Sequence, residues 1–220
     1  MLKRLKSYWI LIIPLVIFSG YWLTRPFQQS IGEGHSDISR LRTQSKANIG
    51  LACRKLDGYI IKPGETFSFN KVIGPRTQSR GFRPAPTYMG KSTSATDGGG
   101  ICLVSSLLYK AALESGLKIL ERTPHSRTIS TVPPGLDATV WYGRYDLRFQ
   151  NNTNEPIMLQ TKFDGNLVSI IVRGPAKIET CKIMRREQDS SGSQVAVTVL
   201  LRRGDQWQTV SKDLYDRSKL

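Results

Sequence analysis

A run of three glycines leads directly into a cysteine at the predicted start of a helix. The glycines are Gly98, Gly99 and Gly100, and the cysteine is Cys102. Glycine adopts backbone conformations that other residues avoid, and the first turn of a helix presents unpaired N–H groups at the positive end of the macrodipole. Such a position lowers the pKa of a thiol and favours the thiolate. Cys102 is therefore the candidate nucleophile.

A thiol nucleophile needs a base that titrates near neutral pH, and histidine is the side chain of that kind. Of the two histidines, His125 lies in the body of the chain and His35 lies in a predicted linker. Asp137 or Asp146 is the candidate carboxylate that orients the imidazole, as the third member of a catalytic triad does. Residue types and order together predict a Cys–His–Asp thiol site.

The same segment also fits a non-catalytic anion-binding site. A cysteine at a helix start often serves only as a small buried residue, and a glycine run before a helix often forms a nest for phosphate or carboxylate. The residues then predicted to bind are Gly98, Gly99, Gly100, Ser105, Arg122 and Asp146, with Arg76, Arg80 and Arg83 adding positive charge.

Two segments have the apolar periodicity of helices, residues 36–56 and residues 101–115. Residues 66–70 alternate like a strand. Residues 71–100 are rich in glycine, proline, arginine, serine and threonine, which predicts loops with one strand near residues 87–89.

Beyond residue 117 the pattern changes to short strand-like segments separated by turns such as Pro133-Pro134-Gly135. Strands at such short spacing pair antiparallel, so the predicted class is α+β, with two main helices packed on a mostly antiparallel β-sheet. The candidate strands are residues 118–121, 128–132, 138–142, 147–151, 157–163, 167–173, 178–185, 194–201 and 206–211.

The first 25 residues predict a membrane anchor helix. Three basic residues precede the apolar segment 8–23, which has aromatic residues at both ends. Lack of a clear cleavage site favours an uncleaved single-pass anchor, with a removed signal peptide or a buried helix as alternatives. The basic start places the C-terminal domain outside the bacterial membrane. The predicted division is an anchor over 1–25, a linker over 26–35, a main domain over 36–175 and a C-terminal β extension over 176–220.

The net charge narrows the choice of partners. Lys and Arg number 32 against 17 Asp and Glu, giving +15 and a pI near 10.0. Outside the membrane, this charge favours a cell-wall polymer or another anionic envelope component, and no nucleic-acid recognition motif is present. No phosphate-loop, dinucleotide or zinc motif occurs, so no cofactor or metal is predicted. Cys53 and Cys181 are expected to be buried, or alternatively to form a disulfide, and the oligomeric state stays open.

An ordered set of short motifs resembles the VanW family over roughly residues 46–174. The motifs are KPGETFSFN at 62–70, GGGIC at 98–102, VSSLLY at 104–109, ER at 121–122, HS at 125–126, DATV at 137–140 and DLRFQN at 146–151. This family includes accessory proteins of vancomycin-resistance gene clusters and many bacterial envelope proteins. The sequence departs from the family at Leu103, where a glutamine usually follows the cysteine, so it lacks that hydrogen-bond donor to an oxyanion.

The resemblance implies an envelope setting and a shared domain rather than a particular reaction. It predicts an accessory or binding role at the cell wall, in the context of glycopeptide resistance. The alternative is a thiol hydrolase or transpeptidase-like enzyme acting on cell-wall peptides, with Cys102 as nucleophile, His125 as base and acid, and Asp137 orienting His125. Leu103 favours the binding role.

Overall fold

The computed structural model describes residues 27–89, 92–175 and 180–217. The predicted anchor over 1–25 lies outside these residues. Within them, every helix is too short or too polar to traverse a lipid bilayer.

A four-stranded antiparallel sheet supports the two long helices. Its strands are β1 (Gln29–Asp37), β2 (Ile60–Ile61), β8 (Ile157–Phe163) and β9 (Leu167–Gly174), and they lie in the order β1-β9-β8-β2. The inner faces of β8 and β9 are built from buried branched aliphatic residues, the type that packs well on a pleated surface.

Helices α1 (Thr43–Leu56) and α3 (Ile101–Glu114) pack against this sheet and against each other. The contact between β1 and α3 is so close that a side chain on β1 would collide with the helix backbone. A Cβ on Gly34 would lie 2.2 Å from the carbonyl oxygen of Leu107, and a Cβ on Gly32 would lie 2.1 Å from that of Ala111. The two glycines therefore set the distance between strand and helix.

Two smaller sheets and a hairpin complete the fold, together with the short helix α2 (Phe69–Ile73). We call β10–β12 the C-terminal sheet; its residue Val199 belongs to the main hydrophobic core, so the sheet packs on the rest of the domain. The remaining strands are β3 (Thr66–Ser68), β6 (Lys118–Glu121) and β7 (Arg148–Gln150) in one sheet, β4 (Pro84–Met89) and β5 (Ser92–Asp97) in the hairpin, and β10 (Lys182–Ser191), β11 (Gln194–Arg203) and β12 (Gln206–Asp216) in the C-terminal sheet.

The α+β class and the mostly antiparallel pairing are confirmed. The prediction of a linker over 26–35 and of a helix from residue 36 is wrong, because residues 29–37 form β1 and pair with β9. Residues 69–73 form α2 rather than a strand, since the Ser68 side chain accepts a hydrogen bond from the Lys71 amide and caps the helix. Two of the candidate strands, 128–132 and 138–142, contain only isolated bridges.

Candidate active site

Cys102 lies in the first turn of α3, as the sequence predicts. Gly100 caps the helix with φ of 97°, a left-handed conformation that favours glycine. The Ile101 amide donates to the Gly98 carbonyl at 3.2 Å, which closes the preceding turn. The Cys102 side chain is partly exposed, and its Sγ lies 3.7 Å from the carbonyl oxygen of Val140.

His125 and Asp137 form a buried pair beside this helix start. One carboxylate oxygen of Asp137, Oδ2, lies 2.6 Å from His125 Nδ1 and accepts a second hydrogen bond of 2.6 Å from the His125 backbone amide. The two contacts fix both the position and the orientation of the imidazole. Asp137, and not Asp146, is thus the carboxylate that orients His125.

The charges of the three side chains depend on one another. Burial raises the pKa of the Cys102 thiol, but the hydrogen bond and positive charge of His125 outweigh it and lower the pKa below its usual value. Burial lowers the pKa of His125, and hydrogen bonds with Asp137 and Cys102 reverse this, raising the pKa to about 9. Both shifts therefore favour a thiolate beside an imidazolium over the neutral pair.

The segment that follows Asp137 is fixed to α3 by two serines. Ser105 Oγ donates to the Ala138 carbonyl at 2.7 Å, while Ser106 Oγ donates to the Cys102 carbonyl at 2.6 Å and accepts from the Ala138 amide at 2.9 Å. These bonds replace the sheet hydrogen bonds of a regular strand. They also hold Asp137 in register with the helix turn that carries Cys102.

A second layer of buried side chains supports Asp137 from behind. Its other oxygen, Oδ1, accepts from Tyr215 Oη at 2.6 Å and from Arg122 Nη2 at 2.9 Å. Arg122 also donates to Asp213 Oδ2 at 2.6 Å, and Tyr215 Oη accepts from the Gly135 amide at 2.8 Å. Burial raises the pKa of Asp137, but His125 and then Arg122 outweigh it and lower the pKa to about 2. The C-terminal sheet thus contributes two residues to this support.

Several predicted site residues have structural roles instead. Ser105 and Arg122 are engaged as described above. Asp146 accepts hydrogen bonds from Ser68 Oγ at 2.5 Å and from the Asn70 amide at 2.8 Å, so it stabilises the start of α2. Gly99 is buried, and its carbonyl accepts from the Asn48 side chain. Of the predicted basic residues, Arg80 and Arg83 are exposed on the surface.

A cavity of about 730 Å³ opens onto Cys102 and His125. Gly98 and Gly100 of the glycine run lie in its wall, and Gly99 does not. Arg76, which was predicted to add positive charge, also lines the cavity. No local pattern indicates four further lining residues that come from separate loops, namely Arg40, Arg42, Trp141 and Tyr142.

The other two cysteines are unlike Cys102. Cys53 and Cys181 are buried and free, so the alternative of a disulfide is wrong. Burial raises the pKa of Cys53 to about 12. Cys53 therefore provides an internal control for the reactivity of Cys102.

The family follows from comparison with known proteins. A family model described as "VanW like protein" matches residues 44–172, more than half of the chain. The chain belongs to the VanW family. The VanW region contains Cys102, His125 and Asp137, whereas the supporting residues Asp213 and Tyr215 lie beyond it.

Two curated relatives match part of this chain. The uncharacterized protein YoaR of Bacillus subtilis strain 168 is 40% identical over 141 residues, which are 64% of this chain and 46% of YoaR. The vancomycin B-type resistance protein VanW of Enterococcus faecalis V583 is 32% identical over 114 residues, 49% of this chain and 41% of that protein. The matches span less than half the length of either relative. No solved structure gives a significant match.

Proposed function

We propose that this VanW-family protein is a thiol-dependent acyl-transfer enzyme of the cell envelope that acts on cell-wall peptides. The observation that carries the proposal is the arrangement of Cys102, His125 and Asp137 at one cavity, with the thiol and imidazole shifting each other's pKa towards an ion pair. A nucleophilic thiol requires this combination of low pKa, partial exposure and an oriented base.

The residues support a two-step reaction. The Cys102 thiolate attacks a peptide carbonyl carbon, and a C–S bond replaces the C–N bond as His125 gives its proton to the departing amine. Water or a second amine then attacks the thioester while His125 takes its proton, which releases the acyl group and restores the thiolate. Asp137 keeps the imidazole oriented and stabilises its positive charge. The positive end of α3 stabilises the oxyanion.

The substrate class rests on the charge and the family. The chain carries a net charge of +15, and three arginines line the cavity, which suits the carboxylates of cell-wall peptides. The predicted anchor would hold the domain at the outer face of the membrane. The relative named as a vancomycin B-type resistance protein supports an envelope role.

An accessory role without chemistry is the competing function. In that role Cys102 only packs in the protein, and anions bind only at the glycine run. It leaves the buried His125–Asp137 pair, with its 2.6 Å contact, without a purpose. The geometry therefore favours the enzyme over the binding role that Leu103 suggests.

The test is detection of an acyl-enzyme. The full chain and its Cys102→Ser variant are incubated with purified muropeptides carrying tetrapeptide or pentapeptide stems. The masses of the intact proteins are then measured by mass spectrometry. We expect a mass increase on Cys102 in the parent, loss of this adduct on adding an amine acceptor, and a normal result for Cys53→Ser. Muropeptide binding by both proteins, with neither adduct nor product from the parent, would establish the accessory role instead.

A further inference from the structure

Arg76 lies in the cavity wall with Cys102, and its guanidinium group is rigidly held. The guanidinium carbon is 5.6 Å from the centroid of the Phe69 ring and 5.9 Å from that of Tyr142, so both rings make cation–π contacts with it. Nη1 donates to the Gly74 carbonyl at 3.2 Å. The guanidinium is thus held in place by the two aromatic rings and by the hydrogen bond that Nη1 donates.

The other terminal nitrogen of Arg76, Nη2, is buried and lacks a hydrogen-bond acceptor among the residues that the structure describes. Burial lowers the pKa of Arg76 to about 10, against the opposing influence of Cys102 and Asp146. The Asp146 carboxylate already accepts hydrogen bonds at α2. A buried cationic N–H left unpaired costs free energy, and a ligand acceptor would remove that cost.

The glycine run makes room for Arg76. A Cβ on Gly98 would lie 2.7 Å from Arg76 Cγ and 2.8 Å from Arg76 Cβ, closer than real side chains approach. The glycine segment that precedes Cys102 therefore also packs against the aliphatic part of the Arg76 side chain, at the wall of the cavity. This packing links the position of the guanidinium to the position of the thiol.

We propose that Arg76 binds a carboxylate of the substrate close to the carbonyl that Cys102 attacks. This proposal rests on the proposed function, because it assigns Arg76 a part in positioning that substrate. A carboxylate oxygen accepts from Nη2 in a charge-assisted hydrogen bond. The Tyr142 ring, which is 50% exposed, moves aside as the carboxylate enters. The substrate class is a peptide with a free carboxylate at or next to the residue whose carbonyl reacts.

Two alkylating reagents that differ only in charge test this assignment. Iodoacetate carries a carboxylate and iodoacetamide a neutral amide, and both alkylate the same thiolate. The ratio of their rate constants at Cys102, divided by the same ratio for glutathione, measures carboxylate recognition. Mass spectrometry of the full chain at pH 7 follows both reactions. We expect the normalised ratio to fall about tenfold or more in Arg76→Met, the effect of losing one charge-assisted hydrogen bond.

Matched variants separate recognition from general charge. Arg80→Met removes a nearby exposed arginine of the same loop, and we expect it to leave the ratio unchanged. Arg76→Lys keeps a cation and should retain part of the preference. In the parent protein, acetate should bind at Arg76 and slow the alkylation of Cys102 by iodoacetamide. This measurement does not depend on any variant. An unchanged ratio in Arg76→Met with normal iodoacetamide reactivity, or no protection of the parent by acetate, would overturn the proposal.

The outcomes distinguish this proposal from the proposed function. If Cys102 reacts with iodoacetamide no faster than in denatured protein, the thiol is not activated and the enzyme proposal fails. If Cys102 reacts fast but shows no preference for the carboxylate reagent, only the role of Arg76 fails.

Discussion

Tyr215→Phe tests whether the C-terminal sheet supports the candidate active site. The substitution removes one oxygen that donates to Asp137 at 2.6 Å and accepts from the Gly135 amide at 2.8 Å. Both contacts are buried, so water cannot replace the lost oxygen without rearrangement. The change therefore removes a hydrogen bond that stabilises the ionised Asp137 carboxylate, and it leaves the backbone N–H of Gly135 unpaired.

The expected loss of stability follows from these two contacts. A hydrogen bond to a charged group contributes about 1.5–3 kcal/mol, and an unpaired buried donor costs about 1–3 kcal/mol. Because the two effects share one oxygen and are not additive, we expect the free energy of unfolding to fall by about 3 kcal/mol. At an m-value of about 2 kcal/mol/M, the urea midpoint shifts down by about 1.5 M.

The assay compares urea unfolding of Tyr215→Phe with that of Tyr142→Phe, whose ring is 50% exposed. The control should change the free energy of unfolding by no more than about 0.5 kcal/mol. Tyr215→Phe should also raise the pKa of Asp137, which stays ionised at neutral pH because His125 and Arg122 still lower it. Equal midpoints for the two variants would refute the role given to Tyr215.

Three further predictions concern the site and the fold. Asp137→Asn removes the charge that stabilises the imidazolium of His125, so the pKa of Cys102 rises and iodoacetamide alkylation at pH 6–7 slows; an unchanged pH profile would contradict the triad. The folded-state pKa of Asp137 is about 2, below its ordinary 3.8, so the contribution of Asp137 to stability is complete above pH 3.8 and is lost as pH falls through about 2. The pKa of His125 is raised from 6.5 to about 9, so the contribution of His125 is complete below pH 6.5 and is lost as pH rises through about 9. Urea unfolding across pH should show both slopes, the first absent in Asp137→Asn and the second in His125→Asn. Gly34→Ala puts a Cβ 2.2 Å from a helix carbonyl and should lower the melting temperature strongly, whereas at Gly192 nothing lies within 4 Å and Gly192→Ala should not; equal melting temperatures would show that β1 and α3 separate easily.

Local patterns in the sequence were sufficient to locate the candidate nucleophile. The glycine run, the apolar periodicity after it and the position of Cys102 all lie within one turn and one helix, so short-range rules predict them. His125 was identified because the chain offers one histidine in its body. Asp137 and Asp146 are both candidates from the sequence to orient His125, with Asp137 named in the thiol-enzyme hypothesis, and the hydrogen bond to His125 Nδ1 decides for Asp137.

Long-range contacts account for what the sequence did not predict. Tyr215 lies 78 residues from Asp137 along the chain, and no local pattern links them. Strand β1 has few apolar residues, so its Gly32 and Gly34 resembled a linker, although they are required by the close contact with α3. Arg76 comes from an irregular segment whose packing against two aromatic rings depends on the finished fold.

The ionisation of Cys102 is the most direct test of the central claim. Thiolate absorbance at 240 nm, measured against pH as the difference between the parent and Cys102→Ser, gives the pKa of this thiol in the native protein. The account predicts a pKa well below the ordinary value of about 8.5 and a thiolate present at pH 7. A pKa at or above about 8.5 would contradict the thiolate–imidazolium pair.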